Sequence, residues 1–341
     1  MNTQRNKDVM VAKCRGVVIN WGHGALFPLI LLLGGYHSAA HAVLYVRDES
    51  PFALLVGIPE MHEAVKLPAG AQRFSLVQTM SNNWQVERDQ QEALWVDGET
   101  DATNLSWQYG FQSVELMITV PYLIIREGNM DSLVEGFHRS FSMPNGGREY
   151  YKKDQLFFAY EREDGSQSLR LTERQEGVGD IRIGLDWQIS RAAGDAHSAG
   201  LQLKLANGNV NDWLGSDSYD LAFTDTHQWD WASWRTNLQC ALLLMQDAGF
   251  MEGLRQPIAG VLNAALSYKF LTRGRITMQY DAHSSLFKDS SMAQLSGAQQ
   301  MSFGVEWRAP RWGWHAAILE NLSPERAPDV GFQLGLEFKM R

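Results

Sequence analysis

Apolar and polar residues alternate one by one along most of the chain beyond residue 70. The clearest alternating runs are residues 114–122, 180–189, 275–283, 301–308 and 332–340. In the last run, Phe332, Leu334 and Leu336 share one face of an extended chain, and polar residues or glycine occupy the positions between them. Strict alternation is typical of a β-strand with one apolar and one polar face. The pattern predicts an all-β protein.

Fourteen segments fit this description. They lie near residues 72–82, 99–109, 114–122, 155–162, 168–172, 180–190, 199–206, 218–224, 234–244, 261–270, 275–283, 299–308, 313–319 and 330–340. An even number is expected of a closed bacterial barrel. The segments 155–162 and 168–172 are the least regular. If they form only a hairpin within a loop, the barrel has 12 strands.

Three features favour a membrane barrel over a soluble β-sandwich, which also alternates. Charged residues lie on the polar face of nearly every strand, as a wet lumen allows. The strands are about 8–11 residues long, which matches a tilted crossing of a bilayer. Short connections at 110–113, 272–274 and 309–312 contrast with long ones elsewhere. We therefore predict a transmembrane antiparallel up-and-down β-barrel with one short helix in a long loop.

Aromatic residues concentrate near the short connections, as expected at a bilayer interface. They are Tyr109, Phe111, Trp187, Trp229, Trp231, Trp234, Phe270, Trp307, Trp312, Trp314 and Phe338. The long connections are residues 123–154, 207–217, 245–260 and 284–297. Short turns on one side and long loops on the other are expected of an outer-membrane barrel with both termini inside.

The first 42 residues have the composition of a cleaved secretory signal peptide. Basic residues such as Arg5 and Lys7 precede the apolar run 25–35, and Ala40-His41-Ala42 supplies a small-residue cleavage pattern. The run is too short to span a bilayer, which requires about 20 residues. The predicted organisation is a signal peptide at 1–42, a plug or periplasmic segment at 43–71 and an outer-membrane barrel at 72–341, in a Gram-negative bacterium.

Composition and charge narrow the partners. The 341-residue chain has a net charge of −9 and no basic cluster, which argues against nucleic acid. The nine histidines are scattered without a ligand spacing typical of zinc sites, so neither a metal nor another cofactor is predicted. The expected partners are outer-membrane lipid and lipopolysaccharide, together with a small-molecule cargo.

Three segments carry a resemblance to a known family: residues 47–59 (RDESPFALLVGIP), 96–100 (VDGET) and 134–148 (VEGFHRSFSMPNGGR). Together they resemble the domain-of-unknown-function 3187 family of Gram-negative outer-membrane proteins. The resemblance implies an outer-membrane barrel and no established activity. Residues 331–338 also resemble the C-terminal signal read by the barrel-assembly machinery, although three residues follow Phe338.

The long connection 123–154 contains a predicted helix at 130–141, with Leu133, Phe137 and Phe141 spaced as one apolar stripe. Such a stripe needs a surface to pack against. The helix could fold into the barrel mouth as a constriction, or it could cap the outer rim. In the first case the passage would be lined by Glu135, His138, Arg139 and Arg148.

A second candidate is Asp281-x-His283, whose spacing puts a carboxylate and an imidazole on one strand face, with Ser284 and Ser285 beyond. Such a pair could serve a barrel-embedded hydrolase. No serine has the G-x-S-x-G context, and a solvated pair in the lumen is the simpler interpretation.

The polar faces of the strands predict a lumen with nearly balanced charge. The inward acids are Glu115, Asp186, Asp281, Glu306 and Glu337, and the inward bases are Arg182, Arg275, Arg308 and Lys339. Balanced charge fits either a salt-bridged, closed interior or an open pore with a transverse field. The apolar run 51–59 needs cover, which makes residues 43–71 a candidate plug.

The sequence predicts a passive or gated channel for small solutes or apolar molecules. A closed barrel with a structural or envelope-maintenance role is the alternative. A barrel-embedded hydrolase is the third possibility, and no enzyme activity is the leading expectation.

Overall fold

The computed structural model describes residues 12–14, 17–19, 43–141, 148–322 and 326–340, without the side chains of residues 12–14, 17–19, 137, 138, 141 and 149. Fifteen antiparallel strands form one sheet, and twelve of them close into a ring. This closed ring makes the protein a β-barrel, as the alternation predicts. None of the described helices is long and apolar enough to cross a membrane.

The strands follow one another along the chain as antiparallel neighbours in most of the sheet. The strands are β1 (Ala12–Cys14), β2 (Val17–Ile19), β3 (Gln72–Arg88), β4 (Glu92–Gly110), β5 (Val114–Arg126), β6 (Phe157–Arg162), β7 (Ser168–Leu171), β8 (Gln175–Val178), β9 (Arg182–Ala192), β10 (Asp195–Lys204), β11 (Asp220–Trp231), β12 (Trp234–Met245), β13 (Ile258–Lys269), β14 (Gly274–His283), β15 (Gln299–Arg308), β16 (Trp312–Asn321) and β17 (Val330–Met340). The helix α1 spans Asp131–Phe141, and 3-10 turns occupy Arg148–Tyr150 and Ala293–Leu295. β1 and β2 pair only with each other.

The ring consists of β3–β5 and β9–β17. It closes where β17 pairs with β3, from Met340 opposite Gln72 to Val330 opposite Asn82. Closure gives the backbone groups of both terminal strands a partner, which is necessary where the wall faces lipid.

The prediction of fourteen crossing strands is wrong, and the alternative of twelve is correct. The segments at 155–162 and 168–172 are strands, but they form the β6–β7 hairpin outside the ring. β6 pairs with the first residues of β4, Glu92–Asp97, where the β3–β4 hairpin projects past the rest of the wall. Residues 83–98, expected to connect two strands, lie mostly within that long hairpin. β6 does not alternate strictly, because Phe158, Ala159 and Tyr160 are all buried, which agrees with the irregularity of this segment in the sequence.

The wall is apolar outside and polar inside. On β17, Leu334 and Leu336 are 55% and 51% exposed, whereas Gln333 and Glu337 on either side of them are buried. Glycines such as Gly335 take inward positions, where a Cβ would overlap the His315 ring. This division follows from the twofold period of a strand and gives the outer surface that a lipid environment requires.

The two ends of the barrel differ in their connections. At the end where β3 begins and β17 ends, hereafter the turn end, the strands are joined by residues 111–113, 193–194, 232–233, 270–273 and 309–311. At the opposite, loop end, the connections include residues 127–181, 205–219, 246–257, 284–298 and 322–329. The predicted aromatic residues lie near the turn end; Trp234 and Trp312, for example, begin β12 and β16.

The helix α1 packs against the outer surface of the wall. Met130 and Val134 contact Met80, Val330 and Phe332 around the β3–β17 seam. These positions alternate with inward-facing residues, so they point away from the lumen.

Polar contacts fasten the same region. Arg148 donates to the Asn82 side chain over 2.6 Å and lies 3.2 Å from the Asp329 carboxylate. Asn82 in turn donates to Asp131 at the start of α1. Because Asn82 also faces outward, the whole cluster lies outside the lumen.

The constriction hypothesis for α1 is therefore wrong. Glu135 is buried beside Lys153, and the Arg139 side chain is 74% exposed. The side chain of His138 lies outside the described residues. Leu133, expected in the packed stripe, is 58% exposed, because Met130 and Val134 form the buried face instead. The seam itself supplies the apolar surface that the helix needs.

We predict that Met130→Ala combined with Val134→Ala releases α1 from the seam. Buried Met→Ala substitutions cost about 2–5 kcal/mol, so trypsin should cut after the exposed Arg139 at least about tenfold faster. The measurement is the rate of appearance of that fragment from folded protein in detergent. Leu133→Ala is the matched control and should leave the rate unchanged. Equal rates in the double variant and the wild type would contradict this packing.

Candidate functional site

Residues 43–67, hereafter the plug segment, run through the inside of the barrel and are almost all buried. The segment approaches the loop end, where Asp48 Oδ2 lies 3.0 Å from His283 Nε2. It then descends to the turn end, where the Leu67 amide donates to the Glu115 carboxylate over 2.8 Å. The chain enters β3 a few residues later. The lumen is therefore occupied along much of its height by the chain's own N-terminal region.

Inward-facing glutamines hydrogen-bond the backbone of the plug segment. Gln279 receives the Leu44 N–H over 2.8 Å and donates to the Leu44 carbonyl over 3.0 Å. Gln239 does the same with the His62 N–H and the Glu60 carbonyl, both over 2.9 Å. An irregular chain removed from water needs such partners, because buried backbone groups are costly when unpaired. Further contacts come from Gln188 to Lys66, Gln202 to Gly57 and Gln333 to Tyr45.

Ion pairs also join the plug segment to the wall. Arg182 of β9 donates to the Glu60 carboxylate over 2.7 Å. Four residues further along β9, on the same face, Asp186 lies 3.1 Å from Lys66 Nζ and 3.2 Å from His62 Nδ1. Both predicted lumen residues on β9 therefore contact the plug segment, with opposite signs of charge.

The top of the plug segment forms an apolar cap with the loops. Phe52 is fully buried, and its ring centroid lies 5.4 Å from Trp213 and 5.9 Å from Phe250. The β6–β7 hairpin contributes Phe158 and Tyr160 to the same cluster. Burial, together with the hydrogen bond to a carboxylate of β4, raises the pKa of the Tyr160 phenol. This cap closes the loop end of the lumen.

A second group of charges lies near the turn end. Arg308 contacts Glu306 over 3.0 Å and Glu337 over 2.5 Å, and Arg275 lies 3.9 Å from Glu306. These predicted inward residues are brought together from β14, β15 and β17. Their charges pair between strands on the inner face of the barrel. This arrangement fits a salt-bridged interior better than an open pore with separated charges.

Asp281 and His283 do not form a catalytic pair. The Asp281 carboxylate accepts hydrogen bonds from Asn263 and Gln279, whereas His283 Nε2 faces Asp48. The nearby serines are engaged elsewhere: Ser284 accepts a backbone N–H from residue 260 and Ser285 donates to the carbonyl of residue 287. The structure therefore gives Asp281 and His283 separate partners and does not pair them as the hydrolase alternative requires. Both residues instead hold the plug segment or its neighbours.

Two cavities lie between the plug segment and the wall. One lies beside Glu49 and is lined by Arg182 and Lys204 with Pro121 and Leu214. The other lies beside Asp48 and includes Asn263, Asp281 and His283. Each cavity is lined by both charged and apolar residues.

The inward glutamines and the Lys204 site were not predicted from the sequence. Lys204 Nζ lies 2.9 Å from Asp180 and 3.5 Å from Asp220, and Asp220 accepts the Gly57 N–H over 2.8 Å. Alternation does place Gln239 at an inward position, so a survey of uncharged inward residues could have found it. Which part of the plug segment each residue meets requires the structure.

Comparisons with known proteins agree with this architecture. A crystal structure of an outer-membrane channel from Pseudomonas putida F1 has a TM-score of 0.55 and 12% identity, covering 83% of this chain and 99% of that chain. The NanC porin has a TM-score of 0.46 and 8% identity, covering 78% and 100% of the two chains. The first of these shows a shared barrel fold.

No curated protein matches this chain. The model of the family described as protein of unknown function DUF3187 matches residues 37–340. This range includes the whole plug segment and every strand of the ring. The chain belongs to the DUF3187 family.

Proposed function

We propose that the protein is an outer-membrane channel that the plug segment closes and that opens when this segment moves. The observation that carries the proposal is the way the segment is held. Between residues 43 and 71 the chain contributes no strand to the sheet. It is bound by side chains, and its covalent continuation into β3 lies at the turn end.

Such contacts can be exchanged for water. A hydrogen bond within a protein contributes only about 0.5–1.5 kcal/mol net. The inward glutamines and charged residues that hold the plug segment would be hydrated in an open lumen, at little cost to the wall. A barrel of twelve strands is wide enough to leave a passage once the interior is emptied.

The wall left behind favours small polar solutes as cargo. Its buried, inward residues include Thr79, Asn104, Thr224, Gln228 and Thr277. Hydroxyl and amide groups can replace the water of a polar solute and offer nothing to an apolar one. The apolar residues of the lumen belong mainly to the cap at the loop end.

Residence in the outer membrane is part of the proposal. It is supported by the apolar outer face, the short turns at the end carrying both barrel termini, and the signal-peptide pattern of residues 1–42. Lipid and lipopolysaccharide would contact the outer face, and the barrel-assembly machinery would read β17.

We predict that deletion of residues 44–66 opens the channel. Purified, folded wild-type protein in a planar bilayer should show rare openings, and the deletion variant should conduct steadily, because its lumen is empty. Met130→Ala with Val134→Ala is the control and should behave as the wild type, since α1 lies outside. If the folded deletion variant remains silent, the barrel is a sealed structural protein.

A disulfide between the plug segment and β10 should lock the closed state. A Cβ built on Gly57 lies 3.1 Å from Lys204 Cβ, slightly closer than the roughly 3.5–4.5 Å of a disulfide. The variant Gly57→Cys/Lys204→Cys should open when reduced and stay silent when oxidised. The same sample in its two redox states is its own control. Equal activity in both states, with the bond confirmed by mass, would mean that the plug segment does not move during opening.

We predict that Glu60→Gln raises the open probability. Breaking a buried ion pair by removing one partner costs about 3–5 kcal/mol, because Arg182 would keep its charge without the Glu60 carboxylate. Open probability in bilayer recordings is the readout. Arg182→Gln and the Glu60→Gln/Arg182→Gln double variant complete a double-mutant cycle. The open probability of the double variant should be lower than the sum of the two single effects predicts. Strictly additive effects would show that this pair does not hold the plug.

A further inference from the structure

A compact group of histidine and aspartate side chains lies on the wall between β10 and β11. His197 and His227 are directly opposite each other in the register of these strands, and Asp225 is opposite Ala199. The two imidazole rings are stacked, with centroids 4.1 Å apart and planes 10° from parallel. Strand pairing therefore brings together three polar groups that the chain separates.

This group faces outward. Its neighbours in sequence, Ser198 and Thr226, are buried on the inward side. Phe223, on the same side as Asp225, is 43% exposed. His227 stacks on Trp229 near the turn end, with ring centroids 5.6 Å apart. His227 therefore lies one outward-facing position from the aromatic residues of the turn end, on the side of the loop end. The group belongs to the surface that the proposed function assigns to lipid.

A carboxylate at such a position is unusual and requires compensation. Charged side chains on the lipid face of a barrel are destabilising at depth. Here the carboxylate is shared: Asp225 Oδ2 lies 3.1 Å from His197 Nε2, and Oδ1 lies 3.1 Å from His227 Nε2. Each imidazole thus turns the same ring nitrogen towards one carboxylate.

We propose that His197, Asp225 and His227 bind a divalent transition-metal ion of the zinc class. Imidazole nitrogen and carboxylate oxygen are ligands of such ions. Ligand atoms at about 2.1 Å from a tetrahedral centre are roughly 3.4 Å from one another. In this cluster one potential ligand atom of each residue lies within 4.8 Å of the others, so side-chain rotations suffice to receive the ion.

The bound ion changes the balance of charge at the wall. It offsets the negative charge of Asp225 and replaces the contacts between the imidazoles and that carboxylate. Three protein ligands leave a fourth position, which water or a further donor can fill. The site does not involve the plug segment, so it stands apart from the proposed gating.

The test is metal titration of the folded, detergent-purified protein without a polyhistidine tag. Calorimetry with Zn²⁺ should show one saturable site per chain, and Co²⁺ should give the visible absorption of a four-coordinate complex. Since losing even an outer-shell partner weakens metal binding about 10–100-fold, His197→Ala, His227→Ala and Asp225→Asn should each weaken it at least about 100-fold.

His138→Ala, on α1 at the loop end, is the matched control for the loss of one imidazole and should bind Zn²⁺ as the wild type does. Thermal unfolding without metal verifies that each variant is folded. Absence of saturable binding to the wild type would overturn the proposal, as would unchanged binding in a folded His197→Ala/His227→Ala variant. Neither result would alter the channel experiments, because those vary other residues.

Discussion

Every backbone N–H and C=O group that leaves water must find a partner, and the architecture depends on meeting this requirement twice. In the wall, the requirement is met by closing the sheet, because β17 pairs with β3 and leaves no edge towards lipid. In the lumen, the plug segment has no strand to pair with. Glutamines such as Gln239 and Gln279 take the place of a neighbouring strand, since each offers both a donor and an acceptor. The same physical demand thus produces a rigid wall and an exchangeable filling.

Charge serves a different purpose on each face of the wall. Inside, Arg182 and Asp186 meet opposite charges on the plug segment, whereas Arg308 and its acidic partners pair within the wall. In the proposed opening, the first kind of pair is broken and the second persists. Ions entering an open lumen would therefore meet the unpaired charges of β9, not those near the turn end. On the outer face, the Asp225 carboxylate has His197 and His227 as its charged or polar partners.

The alternation of apolar and polar residues was sufficient to predict the fold class, most strand positions, and which end of the barrel has the short turns and which the long loops. It could not tell that β6 and β7, the least regular segments, form a hairpin beside the cap and do not cross the wall. The helical spacing of α1 placed Leu133 on its packed face, but the neighbouring Val134 is buried there instead. The inward position of Arg182 could be predicted from its strand, but its partner Glu60 could not, because the plug segment has no periodicity that fixes its path.

The strength of the plug lies mainly in its cap. Fully burying an apolar side chain contributes about 1.5–3 kcal/mol, and Phe52, Leu55 and Val56 are all buried among residues of four loop-end connections. The polar contacts lower in the lumen contribute less each, because water replaces them on opening. In the proposed opening, the loops around Trp213 and Phe250 must separate from the apolar turn of the plug segment before the segment can leave. The proposal therefore places the first step of opening at the loop end, and the contacts of Glu60 and Lys66 break afterwards.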